Sequence, residues 1–307
     1  MLKYIVKRIV EMIPILIVVS ILTFLFIHLI PGDPARLVAG KDATLEEVEN
    51  VRKSLGLDKP IIMQYFSYMK NLVTGELGTS LTTGLPVIDM FKTRFMPSIY
   101  LTFLSMFWAT ILGLLIGIFS AINKNKWPDY LGMVTAVSGI SLPGFWLGLI
   151  LIQIFSVTFG ILPTGGLNGF SSYILPSITL GAGIMSMIAR FTRSSMLETM
   201  QSDYIRTGRA KGLKERTVIV QHALRNSLIS VVTVAGLQFG FLLGGSVVVE
   251  TVFSFPGMGR LLIDSISFRD YPVIQSALLL FAFEFILVNL IVDILYTKLN
   301  PKIQLQS

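Results

Sequence analysis

Residues 130–189 read YLGMVTAVSGISLPGFWLGLILIQIFSVTFGILPTGGLNGFSSYILPSITLGAGIMSMIA, 60 residues without one formal charge. A bilayer core takes about 20 apolar residues as helix, so this run is too long for one span and long enough for two. Leu162-Pro163-Thr164-Gly165-Gly166 divides it, because Pro and paired Gly favour a turn. Working outward, residues 95–123 give 29 uncharged positions, 12–30 give 19 and 226–249 give 24. A last apolar stretch, about residues 273–296, contains Glu284 and Asp293. The expectation is an all-α membrane protein with six transmembrane helices.

Composition agrees. Of 307 residues, 53% are hydrophobic and only 14% charged, and the mean hydropathy is +0.73. A soluble core of this length could not hide so much apolar surface. With no Cys, neither a disulfide framework nor a redox compartment can be read. The net charge of +7 is read by position: cations beside apolar spans orient a membrane protein and do not imply nucleic acid. Lys3, Lys7 and Arg8 precede the first span, Lys124 and Lys126 follow the second, and Lys298 and Lys302 follow the sixth. Residues 190–225 hold eight Lys/Arg against three acids. The positive-inside rule then puts both termini in the cytoplasm. The first span reads as a retained helix, since Pro31-Gly32-Asp33-Pro34 follows it where a cleaved leader would have small residues.

Residues 31–94 are too long for a plain connector and should form a small helical extracytoplasmic cap. Thr44 and Glu47 have capping-box spacing, followed by Leu45, Val48, Val51 and Leu55 at helical period and Gly56 as a stop. A second helix should start after Pro60 and carry Tyr65, Tyr68 and Leu72.

Catalytic motifs are missing. The sequence has no P-loop and no G-x-S-x-G elbow, and its two histidines, His28 and His222, cannot form a zinc-protease pair. The chain should be non-catalytic, with no metal site and no cofactor of its own. Glu284 and Asp293 are nine residues apart, half a turn out of phase on a helix, which argues against a carboxylate pair.

The informative loop is Asp203-Tyr204-Ile205-Arg206-Thr207-Gly208-Arg209-Ala210-Lys211-Gly212, continuing to Asn226. Gly208, Ala210 and Gly212 make a small surface ringed by Arg206, Arg209, Lys211, Lys214 and Arg216. By the residues alone this is either an interfacial helix pair touching lipid phosphates or a protein-docking site.

The stretch resembles the coupling loop of ABC importer permeases, whose pattern is Glu-Ala-Ala, three residues, Gly, then nine residues before an apolar motif. Gly212 falls on the family glycine and His222-Ala223-Leu224-Arg225 on the terminal motif. Arg206-Thr207-Gly208 replaces Glu-Ala-Ala, a departure that matches the dipeptide/oligopeptide/nickel permease branch. The likeness extends to Pro31-Gly32-Asp33-Pro34, Leu55-Gly56-Leu57-Asp58-Lys59-Pro60, Phe255-Pro256-Gly257-Met258-Gly259-Arg260 and Arg269-Asp270-Tyr271-Pro272. Residues 236–246 are most similar to the glutathione-importing permeases of that branch.

The resemblance implies a prokaryotic plasma-membrane permease subunit with a five-helix core over 95–297 and a coupling loop over 190–226. Residues 1–30 would be the N-terminus and first span, and 298–307 a cytoplasmic tail. Its implied partners are a second homologous permease, two ATPase subunits that use ATP and Mg, an extracytoplasmic solute-binding protein and membrane lipid. Its implied cargo is peptide-like: dipeptide, oligopeptide or glutathione, with chelated nickel and a self-sufficient secondary transporter as the alternatives. ATPase coupling would fall to Asp203, Arg206, Arg209, Ala210, Lys211 and Gly212.

Inside the bilayer, Glu284 must be protonated, paired or facing water, because an ionised carboxylate there costs at least about 2.5 kcal/mol. It reads either as a substrate contact or as a hydrogen bond to a neighbouring helix. Asn289 and Asp293, four apart, share a face and read as a helix clamp or a pathway contact. Gly113 and Gly117 have the small-xxx-small spacing of a helix-packing face.

Overall fold

The computed structural model describes residues 2–29, 33–40, 42–54 and 56–299. The helices in chain order begin with α1 (Leu2–Leu29), α2 (Pro34–Ala39), α3 (Leu45–Ser54), α4 (Ile61–Thr74), α5 (Val87–Ile122), α6 (Trp127–Ser141) and α7 (Gly144–Leu151). A π segment, π1 (Ile152–Thr158), precedes α8 (Ser171–Met200), α9 (Asp203–Ala210) and α10 (Glu215–Thr217). A second, π2 (Val218–Leu224), precedes α11 (Arg225–Val252), α12 (Met258–Phe268) and α13 (Tyr271–Leu299). The described residues form no strand beyond one antiparallel bridge, Thr79 to Pro86.

Helices α1, α5, α8 and α13 are each long and apolar enough to cross a bilayer. The other two expected spans are bent pairs. The span expected at the start of 130–189 is no straight helix: α6 and the α7–π1 segment meet at 103°. The break follows from Leu142-Pro143. Proline disfavours helical geometry in the residue before it, and Leu142 sits extended at φ −88°, ψ 125°. Residues 215–228 and 231–242 form the second pair, bent by 43°.

The chain forms two compact units, Met1–Met96 with Gly257–Phe283, and Pro97–Pro256 with Glu284–Ser307. The first unit thus joins the 31–94 segment to residues 257–283, which the sequence placed in the five-helix core. Its core is Val87 and Phe91 of α5, Met258, Leu261 and Leu262 of α12, and Tyr271, Val273, Ile274 and Ala277 of α13. Buried Asp270 accepts hydrogen bonds from the Ser80 hydroxyl and, at 3.0 Å, from the Leu81 N–H. That bond locks the 78–87 turn onto the start of α13 across 190 residues of chain.

The capping box is present as expected: the Thr44 N–H donates to Glu47 at 2.7 Å and the Glu47 N–H to the Thr44 hydroxyl at 3.3 Å. These bonds hold the Glu47 carboxyl below the usual range. Helix α4 begins after Pro60 and packs on α1, with Tyr65 bonded to Ser20 at 2.8 Å and its ring edge-on to Phe24 at 5.4 Å. Tyr68 stacks on Phe24 at 5.9 Å, and burial pushes its hydroxyl up to about 12. Of the Pro31-Gly32-Asp33-Pro34 motif, Pro31 and Gly32 lie outside the described residues. Asp33 caps α2 through the Ala35 N–H at 3.1 Å and takes Arg52 of α3 at 2.6 Å, and Pro34 is the first residue of α2.

In the second unit α8 is the central helix, with twelve of its thirty residues buried. The glycine spacing expected to pack helices does so. A Cβ on Gly113 would lie 2.8 Å from the Met185 carbonyl, and one on Gly117 would lie 2.6 Å from the Ala189 carbonyl. Only glycine lets α5 approach α8 so closely. Gly236 and Gly240 of α11 do the same against Val292 and Phe285 of α13.

Candidate functional site

The loop singled out by sequence is built on α9. Ser202 is extended at ψ 152° and lets the helix start, and Asp203 in the first turn complements the helix dipole. One residue of α9, Ile205, is buried. It enters an apolar cluster with Ala121 at the end of α5, Met196 near the end of α8, and Val218 and Ala223 of π2. The π geometry has a visible cause there: Val218 and Ala223 are five apart, out of phase on an α-helix, and the wider turn lets both reach the cluster.

The helix ends in a Schellman motif. The Gly212 N–H bonds the Arg209 carbonyl at 3.0 Å and the Leu213 N–H the Gly208 carbonyl at 3.3 Å, with Gly212 left-handed at φ 75°. Arg209 then forks onto Glu215 at 2.6 and 3.1 Å across the turn. This bond holds the Glu215 carboxyl below its ordinary range and the Arg209 guanidinium above its own. Asp203, Arg206, Arg209, Ala210, Lys211 and Gly212 are all exposed. They form one continuous outward face, with a loose Asp203–Arg206 pair at 3.9 Å. The Tyr204 hydroxyl accepts from Asn226 at 2.6 Å, so the two ends of the 203–226 stretch are tied.

The same unit holds a cavity of about 760 Å³ between α6, α7, α8 and α11. Gly139, Gly144, Gly183 and Phe241 contribute to its wall, with Thr179 and Gln238 as its polar side chains. Among the described residues, every lining side chain is neutral. The break at Pro143 makes this space, because it turns α7 away from the line of α6.

Glu284, Asn289 and Asp293 do not line that cavity. Asn289 lies beside Gly240 at the α11–α13 contact, 3.9 Å from where a Cβ would sit. Asp293 is half-buried one turn on. Glu284 is buried. The sequence reading passed over Glu250 because it ends the uncharged run 226–249 and looked like a boundary. It is fully buried, and the Ser98 hydroxyl of α5 donates to it at 2.6 Å. Also missed was the pair of Asp129 on α6 and Arg193 on α8, a fork at 2.6 and 2.7 Å with Asp129 only 2% exposed. The signal was there: Asp129 stands just before the uncharged run 130–189 and Arg193 just past its end.

Two family models cover nearly the whole chain. Residues 113–305 match the binding-protein-dependent transport system inner membrane component, and 1–102 match the N-terminal component of such systems. The chain is 55% identical over 304 residues to the glutathione transport system permease protein GsiC of Escherichia coli O6:H1, covering 99% of both. It is equally similar, at 55% and the same coverage, to GsiC of Pectobacterium atrosepticum. Among solved structures, an inward-facing form of the MetNI methionine ABC transporter shares the fold at TM-score 0.60 and 20% identity, over 70% of this chain and 98% of that one. An amino acid ABC transporter with histidines matches at TM-score 0.58 and 14% identity, over 69% and 94%.

Proposed function

The chain belongs to the binding-protein-dependent transport permeases of the inner membrane, and from that premise we propose how its parts divide the work of import. It is the non-catalytic, multi-pass permease subunit of an ABC importer, and ATP hydrolysis belongs to separate subunits. The cargo is glutathione or a related short peptide, a reading supported by the 55% identity to glutathione permeases over 304 residues. Cargo crosses through the cavity bounded by α6, α7, α8 and α11, with Thr179 and Gln238 offering it neutral hydrogen-bonding groups. A second homologous permease completes the pathway, and lipid surrounds the exposed apolar faces of α1 and α5.

The loop carried by α9 is the coupling element. The observation that carries this is its construction: a fully exposed polar and basic face, held by the single buried Ile205 at the feet of α5, α8 and π2. Two ATPase subunits using ATP and Mg dock there from the cytoplasm, which also holds both chain termini. An extracytoplasmic solute-binding protein seats on the cap of α2, α3 and α4.

Reconstitution with the partner permease, the ATPases and the binding protein tests this scheme. Uptake of labelled glutathione into proteoliposomes should need both ATP and binding protein, and unlabelled glutathione should compete better than a dipeptide. Removing residues 41–80 should abolish the stimulation by binding protein while the chain still inserts. Uptake by this chain alone, driven by an ion gradient, would overturn the scheme.

A further inference from the structure

We propose that Asp129 and Arg193 are positioning residues for transport: their ion pair makes the broken span follow the α9 loop. The inference rests on the coupling reading above. Arg193 donates through Nε to Asp129 Oδ1 at 2.6 Å and through Nη2 to Oδ2 at 2.7 Å. The same Asp129 Oδ2 accepts the Asn125 N–H at 3.0 Å, from a residue held left-handed at φ 60°. Asp129 therefore locks the α5–α6 turn and the start of α6 onto α8 in one geometry. A planar fork on a carboxylate fixes orientation as well as distance, which a single-point contact does not.

The position of this pair gives it a mechanical role. Arg193 is one turn before Met196, which is fully buried against Ile205 of α9. On the other side, Asp129 opens a face of α6 that packs on α8 over its length. Ala136 on that face is 1% exposed, and a Cβ on Gly139 would collide with the Ser186 hydroxyl and sit 3.0 Å from the Ala182 carbonyl. Arg193, Ser186 and Ala182 lie seven and four residues apart, one face of α8. The two helices thus move as one body, joined by an ion pair at one end and by glycine contact further along. Gly139 and Ile140 of that body, with Gly144 and Phe145 beyond the break, line the 760 Å³ cavity. A displacement of α9 reaches Met196, then Arg193, then Asp129 and the wall of the cavity. Packed elements of this kind switch between discrete arrangements, and a fixed link decides which elements switch together.

The test is the ratio of labelled glutathione taken up to ATP hydrolysed, in proteoliposomes holding the full transporter. Asp129→Asn keeps the size of the side chain and removes its charge. It should retain the ATPase on co-purification and hydrolyse ATP, while uptake per ATP falls more than tenfold. Arg193→Lys, which keeps charge and loses the fork, should fall in between. The swap Asp129→Arg with Arg193→Asp restores the ion pair but gives up the bond from the Asn125 N–H, so it should recover part of the ratio, and it covers the case in which the single variant fails to assemble. An unchanged ratio in Asp129→Asn overturns the proposal. So does a swap that assembles without recovering the ratio. So does loss of ATPase binding in step with loss of uptake, which would make the pair a structural tie. Gly212→Leu run in parallel separates the two ideas: if it keeps both docking and transport, the coupling reading of the α9 loop fails, whatever Asp129→Asn does.

Discussion

Gly212 offers a prediction in which conformation and contact can be separated. It sits at φ 75°, and a Cβ placed on it meets nothing in this chain within 4 Å. An alanine therefore has one intramolecular cost, that of the left-handed backbone, roughly 1–2 kcal/mol for an ordinary residue. That amounts to a shift of about 5- to 30-fold in how often the Schellman turn is formed. Alanine and leucine have the same backbone cost, and asparagine, which tolerates this conformation, has less. The Leu213 N–H reports the turn, since it bonds the Gly208 carbonyl at 3.3 Å. Its hydrogen-exchange protection in the isolated chain should drop about 5- to 30-fold in both Gly212→Ala and Gly212→Leu, and clearly less in Gly212→Asn. ATP-driven uptake should then split the pair: a Cβ here meets nothing in this chain, so the excess that leucine loses beyond alanine reports what its longer side chain meets, which the coupling reading takes to be a partner surface. We expect that excess to exceed tenfold. Equal uptake by Gly212→Ala and Gly212→Leu would refute the idea that the ATPase seats against this residue, and unchanged protection in Gly212→Ala would refute the backbone argument.

Gly117→Leu should disrupt the bundle, because a Cβ there lies 2.5 Å from that of Thr192 and overpacking costs about 1–3 kcal/mol or more. A markedly lower unfolding temperature in detergent is expected, and wild-type stability would show that α5 and α8 can separate freely. Glu250→Leu removes the acceptor of the 2.6 Å bond from Ser98 and should destabilise by about 1–3 kcal/mol, whereas Glu250→Gln keeps an acceptor and should lose less. Identical melting of the two variants would mean that the bond does not hold α5 to α11. Acid should loosen the α9–α10 turn. Arg209 lowers the Glu215 carboxyl in the folded chain, so the pair contributes above the unfolded glutamate value of about 4.3 and is lost as pH falls below it through the folded value. Both side chains are more than a third exposed, so the effect should be small and weakened by salt. Exchange protection over 211–217 that does not change between pH 6 and pH 3 would remove the pair from the account.

What the sequence determined by itself are the features set by local chemistry and by solvent. Apolar runs of 19, 29 and 24 residues must meet lipid wherever they sit. Thr44 and Glu47 cap a helix because three residues bring them together, and Gly113 and Gly117 pack because four residues put them on one face. The α9 loop was legible as a small, basic surface for the same reason, since Arg206, Gly208, Arg209, Lys211 and Gly212 lie within ten residues; its coupling role came only from the family resemblance, and the burial of Ile205 only from the fold. What only the tertiary structure decided depends on groups far apart in the chain. Hydropathy measures how apolar a segment is and not its direction, so the 103° break at Pro143, and the cavity it opens, were hidden inside a run that looked uniform. Glu250, Asp129 and Asp270 each resemble the polar edge of an apolar segment until their partners appear 152, 64 and 190 residues away. A buried carboxylate is stable only beside the donors the fold brings to it, and no spacing along the chain specifies which donors those are.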